Sequence, residues 1–381
     1  MPKKVAFIQN RVQRGGRFQV TAEMTRVFNS IGIVPDFICY RSRIDLDEIK
    51  RSYGAELELN FIEIKEPTLP FEWNILAFNK SVGKYLRNYD LVINSNNTSF
   101  GLKTEVPLIS YVHFPRKYRL RSPLKSIHFP EGPDKKWLDL ANDPFKIVHH
   151  YYKFDTRVSA GDFQIVNSKF TGDSLLASYP MIQFTCIYPP VNEVDNIPSH
   201  FPIKKSKQVV SLGRFSPDKR QLEQIEIASQ LAEFQFYLVG FINNEAYFEK
   251  CKQKIESLKL KNVNLVGNAS ALERKKILDE SEYFLHNLRN EPFGITTVQA
   301  IASGCYPIVH NSGGQKEIVE KAAQRFNDIT SAIECFHRAA QLSLEEKKSE
   351  VKKLVETLPL YSAKKFQKDF QKCIEKSLGQ E

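Results

Sequence analysis

The sequence predicts an α/β protein of two domains, each built on a parallel sheet covered by helices. Three observations lead there. The chain has 381 residues, more than the roughly 100–200 of one ordinary domain. Apolar strand-like runs alternate with helix-like patterns along it. That rhythm stops in a proline-rich polar stretch and then begins again. Composition agrees, with 42% hydrophobic, 26% charged and 12% aromatic residues, which suits a globular chain and excludes a disordered, collagen-like or disulfide-framed one.

The first apolar run, Val5 to Ile8 in KVAFIQN, is too short for a signal-peptide core and reads as a buried first strand. VTAEMTRVFNSIG has helical spacing, and PDFICY, YDLVINS and VPLISYVHF supply further strands. Strands separated by helices pair in parallel and are buried on both faces. The interruption is YPPVNEVDNIPSHFPIKKSKQ, with the linker at about 190–207. QVVSLGR, FQFYLVG, VNLVGN, EYFLHN and CYPIVHN then form a second set of strands, the first beginning at Gln208 or Val209. The expected division is 1–195, 196–360 and a final helix in 361–381. In that helix Phe366, Phe370 and Ile374 recur every fourth residue, a stripe suited to packing back on the first domain. A cleft is expected between the domains, with ligands outside the carboxyl ends of the strands.

Several function classes fall away. The six cysteines, Cys39, Cys186, Cys251, Cys305, Cys335 and Cys373, have no close pair, so reduced thiols in a cytosol-like compartment are expected. The longest stretch without Asp, Glu, Lys or Arg, Pro292 to Gln315, contains prolines and glycines and makes a poor membrane helix. A net charge of +10 favours anionic partners, yet no nucleic-acid-binding motif accompanies it, so no nucleic acid is expected. No GxSxG, HExxH or CxxC occurs. Asp45-Leu46-Asp47 matches a DxD pattern but reads as an exposed first helical turn, and no metal is assigned.

The segments that could carry chemistry follow strands. In NEPFGITTVQAIASGCYPIVHNSGG, Glu291 precedes a Phe-Gly turn and a helix opens at Ile295. A helix start after a glycine presents unpaired N–H groups to a diphosphate, and the carboxylate can bind sugar hydroxyls. Equally, Gly294 could serve only the turn and Glu291 only the cap. In SLGRFSPDKR, Arg214 and Lys219 flank a Ser-Pro turn where two cations could neutralise a pyrophosphate, or could be surface charges. Gly15 and Gly16 in NRVQRGGRF permit close backbone approach without forming GxGxxG or a P-loop. His113 in SYVHFP ends a strand and could hydrogen-bond a sugar or a reacting hydroxyl, or simply pack. RKYRLRSPLK, 116–125, carries five basic residues and no acid. It could hold an acceptor phosphate or touch an anionic membrane.

Together, EPFGITTVQ, GRFSPDK, the glycine pair after the first strand and HNSGG resemble glycosyltransferase family 4, and the resemblance spans nearly the whole chain. SYVHFP, IYPPV and IVHNSGGQKEIV are most similar to its α-1,2-mannosyltransferase branch of lipid-linked oligosaccharide assembly. The resemblance implies two Rossmann-like domains facing across a cleft in the GT-B manner. It implies a retaining transfer of a hexose, with mannose from GDP-mannose the leading case, onto a glycan or lipid-linked glycan. No cofactor or metal is implied beyond the nucleotide sugar, and the location would be cytoplasmic, with peripheral contact at the cytoplasmic membrane face open.

Carried over by position, His113, Arg214, Lys219 and Glu291 become the catalytic set. The donor site becomes Gly15, Gly16, Arg214, Lys219, Glu291, Phe293, Gly294, Ile295, Thr296 and Gln299. One residue departs from the pattern: Gln299 stands where the family's second glutamate would hold the ribose. An amide can accept and donate but loses the charge-assisted bond. A nucleotide-sugar-binding protein without catalysis is therefore the alternative. A nicotinamide dehydrogenase lacks its glycine fingerprint here.

Overall fold

The computed structural model describes residues 2–12, 15–42, 45–66, 71–96, 102, 104–115, 163–178, 181–197 and 206–378. The chain divides into two units. Of the described residues, those up to 190 and those from 363 onward form the first, and 191–197 with 206–362 the second.

In the first unit the elements run β1 (Val5–Ile8), β2 (Arg11–Val12), α1 (Gly16–Asn29), β3 (Asp36–Cys39), β4 (Arg41–Ser42), α2 (Leu46–Tyr53), β5 (Asn60–Glu63) and α3 (Phe71–Gly83). They continue with β6 (Leu91–Asn94), β7 (Leu108–Val112), β8 (Phe163–Val166), α4 (Lys169–Ser178) and β9 (Thr185–Cys186). The sheet order is β5-β3-β1-β6-β7-β8-β9, and every pairing is parallel. The order reverses at β1, whose neighbours are β3 and β6. Phe7 of β1 stacks on Phe37 of β3 at 4.6 Å between ring centres. Strands buried on both faces carry side chains such as VAFI that need no polar side.

The second unit holds β10 (Gln208–Leu212), α5 (Gln221–Ser229), β11 (Gln235–Gly240), α6 (Glu245–Ser257), β12 (Val263–Gly267), α7 (Ala271–Glu280) and β13 (Tyr283–His286). After them come α8 (Ile295–Ala302), β14 (Tyr306–His310), α9 (Gln315–Ile318), β15 (Arg325–Phe326), α10 (Ile329–Gln341) and α11 (Leu344–Thr357). Its parallel sheet is ordered β12-β11-β10-β13-β14-β15. Here the order reverses at β10, between β11 and β13. Phe234, Phe236, Tyr283 and Phe336 form an aromatic knot on one face, with Phe234 edge-on to Phe336 at 5.3 Å.

The final helix, α12 (Ala363–Ser377), belongs to the first unit. Phe366, Phe370, Cys373 and Ile374 are buried on it, Phe370 lies edge-on to Phe28 of α1 at 6.0 Å, and Gln367 donates to Glu23 at 2.7 Å. Burying side chains of this size stabilises by roughly 1.5–3 kcal/mol each.

The division of the chain departs from the expected boundaries. It falls after Pro190 and after Ser362, not after 195 and 360. The Val191 N–H donates to the Tyr361 carbonyl (2.8 Å), and residues Asn192–Asn196 form a 3-10 turn within the second unit. That backbone bond draws the segment out of the linker. The sequence reading also passed over β5, β8, β9, β15 and the short β2/β4 pair. β9 and β15 are two residues long, and β5 is largely half-exposed or exposed, so neither length nor an apolar run marks them.

Among the described residues no helix is long and apolar enough to cross a membrane, and no group of His, Cys, Asp and Glu could hold a metal ion. Asp45 caps α2, accepting from the Glu48 N–H at 2.6 Å, and Asp47 is exposed. The basic run 116–125 lies outside the described residues.

Candidate active site

In an open parallel sheet, two neighbouring strands whose connections leave in opposite directions open a crevice at their carboxyl ends. In the second unit those strands are β10 and β13. The loop after β10 carries Arg214 and Lys219; the loop after β13 carries Glu291. Lys219 Nζ donates to Glu291 Oε2 at 3.1 Å, with the two side chains 23% and 18% exposed. The sequence separates them by 72 positions; the switch in strand order brings them together.

The two loops are tied to each other. Asn287, directly after β13, donates through Nδ2 to the Arg220 carbonyl at 3.1 Å and to Glu223 at 3.0 Å. Gln224 donates to Asn287 Oδ1 at 2.6 Å. Arg220 adopts the left-handed conformation at φ 57° and grips Glu223 through both Nε and a terminal nitrogen, at 2.6 and 2.8 Å. Behind Lys219 lies a small polar pocket lined by Ser211, Gln221, Gln224, His286 and Asn287 among others.

Burial alone would raise the Glu291 carboxyl, but the charge and hydrogen bond of Lys219, together with the nearby His286 and Arg214, hold the group below its ordinary value. His286 is 5% exposed, with Nε2 3.8 Å from Glu291 Oε2. Burial pushes its pKa down from 6.5 to about 4, so the ring is neutral at physiological pH. The site thus combines a cation, a carboxylate and a neutral imidazole.

Glycines hold the Glu291 loop from behind. A side chain on Gly314 would meet the Pro292 carbonyl at 2.4 Å, and one on Gly313, at φ 72°, the Glu291 carbonyl at 2.4 Å. The Gly314 N–H donates to that Glu291 carbonyl at 2.8 Å. The HNSGG turn is therefore a backbone-on-backbone support that only glycine permits. Gly240 plays a matching part for the other loop, since a Cβ there would lie 2.0 Å from the Gly213 carbonyl. That close approach seats Arg214 and Phe215 against the end of β11.

Gly294 is the N-cap of α8, left-handed at φ 116° and without a side-chain cap. Glu291 is therefore not a helix cap. Phe293 is buried against Tyr361, at 5.3 Å between ring centres, while Ile295 and Thr296 are half-buried at the opening of the helix. Arg214 reaches Asp218 at 2.7 Å and Ser216 at 3.2 Å, and it remains 53% exposed. Gln299, the position that breaks the family pattern, donates through Nε2 to Glu193 Oε1 at 2.7 Å. A carboxylate thus stands beside the amide, delivered by the 3-10 turn that follows the first unit.

Gly15, Gly16 and His113 belong to the first unit and also lie at strand carboxyl ends. Gly15, at φ 135°, leads into α1, and its N–H donates to the Tyr53 hydroxyl at 3.2 Å. His113 Nε2 lies 3.3 Å from Ser95 Oγ, and its carbonyl accepts from Asn167 at 2.9 Å. Burial, and then the charge of Arg17, push the His113 ring well below its ordinary value. Arg17, one residue into α1 and half-buried, is therefore close to His113.

The sequence reading missed Arg17, Glu193, His286, Asn287 and Gln315. His286 ends the run EYFLHN and had a signal of the same kind as His113, a histidine closing a strand. The others act through partners distant in sequence.

Residues 193–356 match the family model for glycosyl transferases group 1. That match spans most of the second unit. Relatives by sequence include the GDP-Man:Man(3)GlcNAc(2)-PP-Dol alpha-1,2-mannosyltransferase of Mus musculus, 28% identical over 191 residues, covering 45% of this chain and 39% of that protein. The enzyme of the same name from Dictyostelium discoideum is 22% identical over 393 residues, covering 88% of this chain and 75% of that one. Against the mouse and Xenopus laevis proteins the chain spans less than two fifths of the relative's length, 39% and 36%.

Solved structures carry the same fold over the whole chain. A sucrose-phosphate synthase from Thermosynechococcus elongatus superposes with a TM-score of 0.74 at 15% identity, covering 100% of both chains. Anabaena HepE, solved with UDP and glucose, gives 0.68 at 13% identity, covering 98% of this chain and all of that one. The matched region thus lies in the second of two Rossmann-like units, the GT-B architecture.

Proposed function

We propose that the chain is a retaining glycosyltransferase that moves a hexose, mannose from GDP-mannose, onto a glycan or lipid-linked glycan. The observation that carries the reading is the Lys219–Glu291 pair at the β10/β13 switch point, beside the open start of α8. A cation and free N–H groups suit a diphosphate, and a half-buried carboxylate beside them suits sugar hydroxyls. The names of the sequence relatives support mannose and GDP as the donor parts.

In this reading Lys219 leaves Glu291 for the departing diphosphate, and Arg214 adds its guanidinium from the same loop. The carbon–oxygen bond to the leaving phosphate breaks as the acceptor hydroxyl approaches on the same face, and its proton passes to that phosphate. No enzyme nucleophile or metal takes part. The protein supplies fixed positive charge where negative charge grows, with Glu291 and the backbone from Phe293 to Thr296 orienting the sugar.

Gln299 and Glu193 together present an amide and a carboxylate to the ribose hydroxyls, so the carboxylate missing from position 299 is retained in space. This favours a working transferase over a protein that only binds nucleotide sugar. The acceptor is held by the first unit, and the 116–125 basic run suits peripheral contact with an anionic membrane. Calorimetry with GDP-, UDP- and ADP-sugars, followed by a transfer assay, tests the reading. Selective GDP-mannose binding with turnover is the expected result; no binding by any of them refutes it.

A further inference from the structure

We infer that Gln315 is a positioning residue that decides which nitrogen of His286 carries the proton, and through it orients the Glu291 carboxylate. The inference rests on the proposed role of Glu291. Gln315, first residue of α9, is fully buried. Its Oε1 accepts from the Thr297 hydroxyl at 2.9 Å. Its Nε2 lies 2.9 Å from His286 Nδ1 and 3.4 Å from the Leu288 carbonyl. The amide cannot be turned over, because its oxygen would then face the Leu288 carbonyl, which only accepts. Nε2 therefore donates to both, His286 Nδ1 is an acceptor, and the single ring proton sits on Nε2.

That N–H looks at Glu291 Oε2, 3.8 Å away, the same oxygen that Lys219 holds at 3.1 Å. The distance is long for a hydrogen bond, yet close enough to become one when Lys219 turns to a diphosphate. Glu291 Oε2 then keeps a donor, and Oε1 stays free for the sugar. The other tautomer would set a bare ring nitrogen against the carboxylate and release it. The groups that face His286 are Glu291 and Lys219 on the site side, Gln315 behind, Phe284 along its own strand and His310 on β14. The ring also meets its own backbone, and Gln315 is the side chain that touches Nδ1.

The first measurement is a 15N spectrum of the histidines in the full-length protein between pH 6 and 8. A proton on Nε2 of His286 and none on Nδ1 is expected; a proton on Nδ1 overturns the inference whatever the activity. Gln315→Leu then frees the ring, and Gln315→Glu gives Nδ1 an acceptor and draws the proton to it. In both, 13C NMR should show the Glu291 carboxyl titrating higher than in the wild type. With GDP-mannose as donor, kcat/KM should fall by about ten-fold, the worth of one hydrogen bond near the reacting group. In Gln315→Glu the loss should shrink as pH falls, because the second proton goes to Nε2 and restores a donor toward Glu291. An unchanged His286 tautomer and Glu291 titration in both variants overturns the inference. A wild-type protein that shows the expected tautomer yet binds no GDP-mannose overturns only the proposed donor.

Discussion

Acid should destabilise the second unit through two buried histidines before the carboxylates titrate. His286 and His310 end adjacent strands, are 5% and 8% exposed, and are each pushed from 6.5 down to about 4 chiefly by burial. His310 has a definite duty as a neutral ring. Its Nε2–H donates to the Asn327 carbonyl at 3.2 Å, and its Nδ1 accepts from the Ser312 hydroxyl at 2.8 Å. Ser312 Oγ in turn accepts from the Asn290 N–H at 2.7 Å, beside Glu291. Between about pH 6.5 and 4 the unfolded chain binds these protons and the native one does not, so stability falls as pH falls. At pH 5 the difference is about 2 kcal/mol per histidine, or about 4 kcal/mol for both, against a typical total of roughly 5–15 kcal/mol. Urea denaturation followed by far-UV circular dichroism at pH 7.5 and pH 5 measures it. His310→Gln keeps a side chain able to bond in both directions but removes the titration, so its acid loss should be smaller by about 2 kcal/mol. An acid loss equal to that of the wild type would refute the argument.

Other predictions follow from packing and charge. Gly314→Ala drives a methyl into the Pro292 carbonyl, and should destabilise by about 1–3 kcal/mol while lowering donor affinity, as thermal denaturation and calorimetry will show. Lys347 is 11% exposed, donates to Glu282 and to the Tyr283 hydroxyl, both at 2.6 Å, and is remote in sequence from the site loops. Lys347→Met leaves the Glu282 carboxylate buried without its cation, still held by the Lys207 N–H and the Tyr283 hydroxyl, and should cost about 3 kcal/mol by urea denaturation. Gln299→Glu places two carboxylates where a 2.7 Å hydrogen bond now stands, and should weaken nucleotide binding, while Gln299→Glu combined with Glu193→Gln should restore it.

What the sequence made legible was local. EPFGITTVQ and GRFSPDK are read from residues a few places apart, and each lies on one loop after one strand. Alternating elements were enough for two α/β units, since each strand with its helix is a local pattern. The arrangement of the site was not legible, because it depends on strand order. Lys219 meets Glu291 only because β10 and β13 are neighbours. Glu193 reaches Gln299 across 106 positions. The glycine pair at 313–314 looked like a turn, and its purpose emerges from the Glu291–Pro292 backbone lying 2.4 Å from where side chains would be. Gln315 and Thr297 are polar residues on two different helices. Their meaning lies in the amide geometry around His286, which no spacing rule encodes.

The most direct test of the central claim is to compare wild type and Lys219→Ala with GDP-mannose, measuring binding by calorimetry and release of GDP in the presence of a glycan acceptor. If Lys219 stabilises the departing diphosphate, the variant should bind within several-fold of wild type and turn over about 10²–10³-fold more slowly, the usual loss when one preorganised stabilising group is removed. Equal turnover by the two proteins would contradict the account.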